Sequence, residues 1–114
     1  MRFIFLTALF FVFFSYSQAS FAEGFTGEKF LKWKRESQDS FIGTSITMVA
    51  VVATQGRQNI ASCIDDWYSE DGSIQDQRHG FILDTIREYP SYHPQGIILA
   101  VLQKRCGSFK DKAD

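Results

Sequence analysis

Hydrophobic positions fall into one dense N-terminal block, then into shorter stretches parted by polar residues, glycine and proline. The block covers residues 3–14 and is broken only by Thr7. Further on, Phe30, Leu31 and Trp33 give residues 27–37 an apolar side. Lys29, Lys32, Lys34 and Arg35 fill the remainder, and the pattern predicts a first helix. Residues 37–40 are polar and read as a break, with Ser40 placed to cap the next element. Residues 41–55 pull two ways. Their β-branched residues, among them Ile42, Thr44, Ile46, Val51 and Val52, favour a strand locally. Their length, the apolar run over 48–53 and the stop at Gly56 favour a buried helix, which is the reading adopted. Residues 57–62 read as a connection leading to Cys63. Residues 65–72 read as a loop with at most one helical turn.

Ser73 is the expected cap of the next helix, with Asp76 at the position that reaches back to it. Ile74, Phe81, Ile82, Thr85 and Tyr89 recur there at helical spacing, and Leu83 and Ile86 broaden the stripe. Gly80 interrupts that helix at a cost of about 1 kcal/mol, which points to a close helix contact. Pro90 ends it. After a tight connection over 91–93, Pro94 suits the first turn of a last helix carrying Ile97, Ile98, Val101 and Leu102. Lys104 and Arg105 fall at its C-terminal end, where positive charge is favoured, and Gly107 is the expected cap. The predicted fold is all-α, a small compact bundle of about four helices. Residues 23–26 form an exposed arm, 23–107 the domain and 108–114 a polar tail, whose Lys110 and Lys112 are simply solvated.

The N-terminal block changes the picture. Arg2 gives it a positive start, and Ser20-Phe21-Ala22 is a small-x-small cleavage site. The apolar run is too short to span a bilayer, so residues 1–22 predict a signal peptide cut after Ala22. No stable membrane anchor is expected after cleavage, and the destination is the periplasm or the exterior. Cys63 and Cys106 are the two cysteines of the chain. In an oxidising compartment they predict one disulfide. Its closure of the intervening chain is worth roughly 4 kcal/mol in the chain-entropy model.

Cleavage would remove 22 of the 114 residues and leave 92, enough for one domain. Seven of the 12 phenylalanines lie in or beside the signal, so the mature core is small and a staple matters. Removing Arg2 leaves 11 basic against 13 acidic residues, a net charge of −2. That balance gives no ground for a nucleic-acid or anionic-membrane partner.

Candidate chemistry is sparse. Gly43-Thr44-Ser45-Ile46-Thr47 lacks the closing glycine of a nucleophile elbow and the strand before it, and reads instead as a buried helix start. His79 and His93 lack metal-ligand spacing, and the cysteines are better used in a disulfide, so no metal or cofactor is expected. Ser73, His79 and Asp84 can be grouped on paper, but His79 and Asp84 are five apart and point away from each other on a helix. The acidic-aromatic segment is the strongest candidate for partner contact: Asp65, Asp66, Glu70 and Asp71 surround Trp67 and Tyr68. Adjacent aromatics in a polar loop either tuck one ring into the core or present it to a partner. Trp67 taken alone favours the core.

The opening Thr26-Gly27-Glu28-Lys29-Phe30-Leu31, the apolar helix after it, Cys63-Ile64, the Tyr89-Pro90 break, His93 and a 97–102 helix reaching Cys106 form an ordered set. In that set the chain resembles the Rap/Tai family of periplasmic immunity proteins, which protect bacteria from peptidoglycan amidase toxins delivered by type VI secretion. The resemblance covers nearly all of the mature domain. It departs from the family pattern at Asp65, where proline is usual, and in the place of Gly43. It implies an all-α, often dimeric protein that is not an enzyme. Such a protein inhibits an amidase effector by covering its active site with a loop and helix surface. The alternative expectation is a periplasmic acid-stress chaperone, in which loss of carboxylate charge would release apolar surface.

Overall fold

The computed structural model describes residues 24–110. The predicted signal peptide, its cleavage site and the end of the polar tail lie outside the described residues. Five helices follow in order: α1 (Gly27–Phe30), α2 (Arg35–Ala53), α3 (Gln58–Tyr68), α4 (Gly72–Glu88) and α5 (Pro94–Cys106). The fold is all-α, as the apolar spacing predicts, and consists of four full helices and the single turn α1. Among the described residues no helix is long and apolar enough to cross a membrane.

The first two elements differ from expectation. The helix predicted over 27–37 is only α1, and the polar stretch 37–40 is not a break but lies in the first turns of α2. Two of those residues, Gln38 and Asp39, are polar because they bond to other elements. Gln38 is buried, and its Nε2 donates to the carbonyl of Phe30 at 3.1 Å, satisfying the open end of α1. Lys34, not Ser40, stands at the N-cap of α2. The helical reading of 41–55 holds despite its β-branched residues. Ile42, Ile46, Ala50 and Ala53 share one buried side, and packing overrides propensity. Gly43-to-Thr47 therefore lies inside a long helix and not at its start.

Helix α3 replaces nearly all of the connection expected over 57–62 and the first half of the loop expected over 65–72. Its apolar residues Ile60, Ala61, Ile64 and Trp67 sit at i, i+1, i+4 and i+7 and are all buried. Asp65 and Asp66 hid this stripe because they occupy the outer side of the same turn. The helix stops at Ser69, whose φ of 62° lies in the left-handed region unusual for a non-glycine residue.

Helix α4 starts earlier than the Ser73 cap implies. Asp71 is its N-cap, and Asp71 Oδ1 accepts the Ser73 N–H at 2.8 Å. Its buried side is His79, Ile82, Leu83 and Ile86. Phe81 and Tyr89, expected in the stripe, are 56% and 49% exposed. Gly80 faces open space, so no close helix contact explains it. Helix α5 matches its prediction. Pro94 opens it, Ile97, Ile98 and Leu102 are buried, and Gly107 closes it at φ 105°.

Helix α2 packs on α3, α4 and α5, and its buried side meets Ile64, Ile82, Ile86, Ile98 and Leu102 in one core. The N-terminal arm is not loose where it is described. Phe25 stacks on Trp33 at 5.1 Å between centroids and meets Phe30 and Phe41 edge-on. The Gly27 N–H donates to the Tyr92 carbonyl at 2.8 Å. A Cβ at Gly27 would lie 2.8 Å from Ile86 Cγ2 and 3.2 Å from the Pro90 backbone, so this close approach requires glycine.

Candidate functional site

The residues predicted to meet a partner lie at the corner where α3 turns into α4. Cys63, in the middle of α3, is bonded to Cys106 at the end of α5, with Cα atoms 5.6 Å apart. The expected disulfide is present. It joins two helices and not a helix to a loop. Nearby, the Arg57 guanidinium donates to the Phe109 carbonyl at 3.1 Å and holds the start of the tail.

The corner has its own supports. Gln75 Nε2 donates to the Ser69 carbonyl at 2.7 Å, and Arg78 Nε donates to the Trp67 carbonyl at 2.9 Å. Both bonds come from α4 and satisfy carbonyls left open at the C-terminus of α3. The Asp71 N–H donates to Ser69 Oγ at 3.2 Å, closing the turn.

The six predicted partner-binding residues divide into three kinds. Trp67 is a core residue, 9% exposed, with the Arg78 guanidinium 4.9 Å above its ring. Tyr68 is half-buried and its hydroxyl is engaged inside the bundle. Asp71 is exposed and occupied as a helix cap. Asp65, Asp66 and Glu70 remain exposed, and among the described residues none of them joins an ion pair. The aromatic anchors expected in a loop are therefore structural, and the free chemistry of the corner is three carboxylates.

Tyr68 belongs to a part-buried polar chain, centred on the buried His79, that sequence reading missed. Its hydroxyl lies 2.6 Å from His79 Nε2, and His79 Nδ1 lies 3.1 Å from Asp39 Oδ1. With Nδ1–H donating to the carboxylate, Nε2 accepts the phenolic proton. Arg35 Nε donates to the same Asp39 oxygen at 2.9 Å, and the Arg35 guanidinium also lies 3.8 Å from Asp76. Burial alone would raise the Asp39 pKa, but the bonds from Arg35 and His79 outweigh it and hold the carboxyl below its ordinary range. Burial, helped by the Asp39 charge, pushes the Tyr68 hydroxyl above its ordinary value. The chain has the order of a carboxylate–imidazole–hydroxyl relay. A phenol held more firmly protonated than usual is the opposite of an activated nucleophile. Its visible effect is to tie α2, α3 and α4 together.

Gly43 makes room for this tie: a Cβ there would lie 3.0 Å from the Tyr68 hydroxyl. Asp39 was hidden because it sits in the polar stretch read as a break. The clue available in sequence was its i, i+4 spacing from Arg35. Ser45 is buried within α2. Asp84 pairs with Arg87 at 2.6 Å, away from His79, as the helical spacing implies. Among the described residues no three His, Cys, Asp or Glu side chains gather as metal ligands.

Compared with known protein families, with curated proteins and with solved structures, the chain matches none.

Proposed function

We propose that the chain is an exported binding protein that neutralises a peptidoglycan amidase toxin of type VI secretion, acting in the periplasm. The observation that carries this reading is the α3–α4 corner. Asp65 and Asp66 sit in the last turn of α3, where the helix dipole disfavours negative charge and the turn itself carries no basic residue; the one cation bonded there, Arg78 of α4, is engaged with the Trp67 carbonyl. Local stability argues against carboxylates there, and a local rule broken in an otherwise consistent fold marks a place for function. A disulfide and backbone-directed bonds from α4 fix the same corner, so little ordering entropy is lost when a partner binds. The ordered set of residues shared with the amidase immunity family supports the choice of partner. The disulfide fits an oxidising compartment.

On this reading Asp65, Asp66 and Glu70 steer and orient a basic cleft of the toxin. The test is inhibition of peptidoglycan cleavage by type VI amidases added to the oxidised protein. A one-to-one complex that abolishes cleavage is expected. An Asp65→Lys/Asp66→Lys/Glu70→Lys variant, folded by circular dichroism, should inhibit at least about tenfold less well. If no amidase is inhibited, the toxin reading fails; if the variant inhibits as well as its parent, the corner assignment fails.

One observation favours a second reading, the acid-stress chaperone. The Asp39–His79–Tyr68 tie rests on an ionised Asp39, and acidification dismantles it. Suppression of client aggregation at low pH, absent at neutral pH, would select that function over toxin binding.

A further inference from the structure

Beside Trp67, α4 and α5 border an open groove of about 950 Å³. Its wall is apolar: Phe81 from α4, Tyr89 at the C-cap of that helix, and Ile97 and Val101 from α5. Phe81 is 56% exposed, a large apolar area for one aromatic ring on a small domain. The ionisable residues on its border are Arg78, Lys104, Arg105 and Glu88, three cations against one carboxylate. Among the described residues none of the three cations joins an ion pair. Arg78 is fixed over the Trp67 ring and donates to its carbonyl, so this cation is held in place. The whole chain carries a net charge of −1, so the groove border is more basic than the chain as a whole.

We propose that this groove docks an acidic segment of a partner protein, one that carries apolar side chains among its carboxylates. Phe81 and Tyr89 supply the apolar contact. Arg78, Lys104 and Arg105 set the charge preference, and the stationary guanidinium of Arg78 suits a bidentate carboxylate. A concave surface with aromatic walls and a carboxylate of its own fits a peptide better than a flat anionic membrane surface. The groove adjoins the acidic corner at Trp67 and Arg78 but is of opposite sign, so the two suit chemically different surfaces. The inference goes beyond toxin neutralisation and does not depend on it.

The test uses no amidase, so its failure and that of the toxin reading are distinguishable. Random peptides displayed on phage are selected against the immobilised, oxidised chain, and the selected peptides are then measured by fluorescence anisotropy. The expected sequences combine Asp or Glu with Leu, Phe or similar residues. Their affinity should fall about tenfold in Lys104→Glu/Arg105→Glu and weaken further as salt is added. Lys32→Glu/Lys34→Glu, with the same change in net charge elsewhere, should bind like the parent. Phe81→Ser should weaken binding without a charge change, and it carries the test if the charge reversal disturbs folding. Four results would each overturn the proposal. Selection yields nothing; the selected peptides lack carboxylates; the groove variants bind as the parent does; or the peptides are weaker ligands than vesicles of phosphatidylglycerol. Sedimentation of the protein alone adds one more. A dimer that Lys104→Glu/Arg105→Glu dissociates would give the groove to a second copy instead.

Discussion

Helix α3 is held at two places by two different kinds of bond. In its middle, Cys63 is covalently joined to Cys106 of α5. At its end, Tyr68 is joined through His79 of α4 to Asp39 of α2 by hydrogen bonds. The first tie acts chiefly on the unfolded chain, by removing conformations that it would otherwise gain. The second acts on the folded chain, by satisfying polar atoms that would otherwise be buried without partners. One responds to reductant and is indifferent to moderate pH. The other responds to pH and is indifferent to reductant. The carboxylates proposed to meet the toxin lie between and just beyond these ties, so both conditions bear on the same corner.

The sharpest way to break the comparison is to remove the covalent tie. The cysteines are 43 positions apart, and opening that loop should cost about 4 kcal/mol in the chain-entropy model. That is a large part of the roughly 5–15 kcal/mol available to a domain. Urea unfolding of Cys63→Ser/Cys106→Ser should show the loss directly, and reductant should reproduce it in the parent while leaving the variant unchanged. An unshifted midpoint would mean that the helices hold α3 without the bond.

Removing the polar tie should cost less. Tyr68→Phe keeps the ring, deletes the hydroxyl and leaves the Nε2 of the buried His79 unpartnered, at about 1–3 kcal/mol. Urea unfolding read with and without reductant sharpens the contrast. The Tyr68 loss should be the same in both, because the ties are independent.

The pH response separates the ties further. The folded-state pKa of Asp39 lies below its unfolded value, which is about 4. Its contribution is therefore complete above that value and is lost as pH falls through the folded pKa. Tyr68 works in the other direction. Its raised pKa gives stability that is complete below about 10 and is lost as pH rises through the folded value. Thermal melts of Asp39→Asn should show a flatter acid limb than the parent, with the alkaline limb still falling. Equal acid slopes would show that other carboxylates dominate acid unfolding.

Much of this architecture was legible in the sequence, and the misses share a cause. The last helix was clear because every local signal agrees: Pro94 at its start, apolar spacing inside, basic residues at its end and Gly107 after it. The disulfide followed from two cysteines behind a predicted export signal. Residues 37–40 misled because the polarity of Gln38 and Asp39 serves other elements, and 57–68 because the outer side of a helix there is polar. Gln38 closes α1, Asp39 holds His79, and Asp65 and Asp66 face outward from a helix whose inner side is apolar. A polar residue that bonds across the fold looks the same in sequence as one that bonds to water. The candidate segment over 65–72 was read as a loop, and its first half is the end of a helix. That error exchanged the roles of its residues: the aromatics became supports, and the carboxylates became the exposed chemistry.

Gly43 and Gly80 offer the smallest effect and the finest test of the polar tie. Both lie inside helices, where alanine is favoured over glycine by about 0.5–1 kcal/mol. At Gly80 a Cβ meets nothing, so Gly80→Ala should stabilise the protein by roughly that amount. At Gly43 a Cβ arrives 3.0 Å from the Tyr68 hydroxyl, which is itself held 2.6 Å from His79. If that hydroxyl is fixed, the contact cancels the helical gain and Gly43→Ala is neutral or destabilising. If it is free to shift, the two alanines behave alike. The pairing with Tyr68→Phe completes the argument. Once the hydroxyl is gone, Gly43→Ala has nothing to strike and should recover the gain seen at Gly80. A gain that appears only in the phenylalanine background would show that the glycine serves the tie and not the helix.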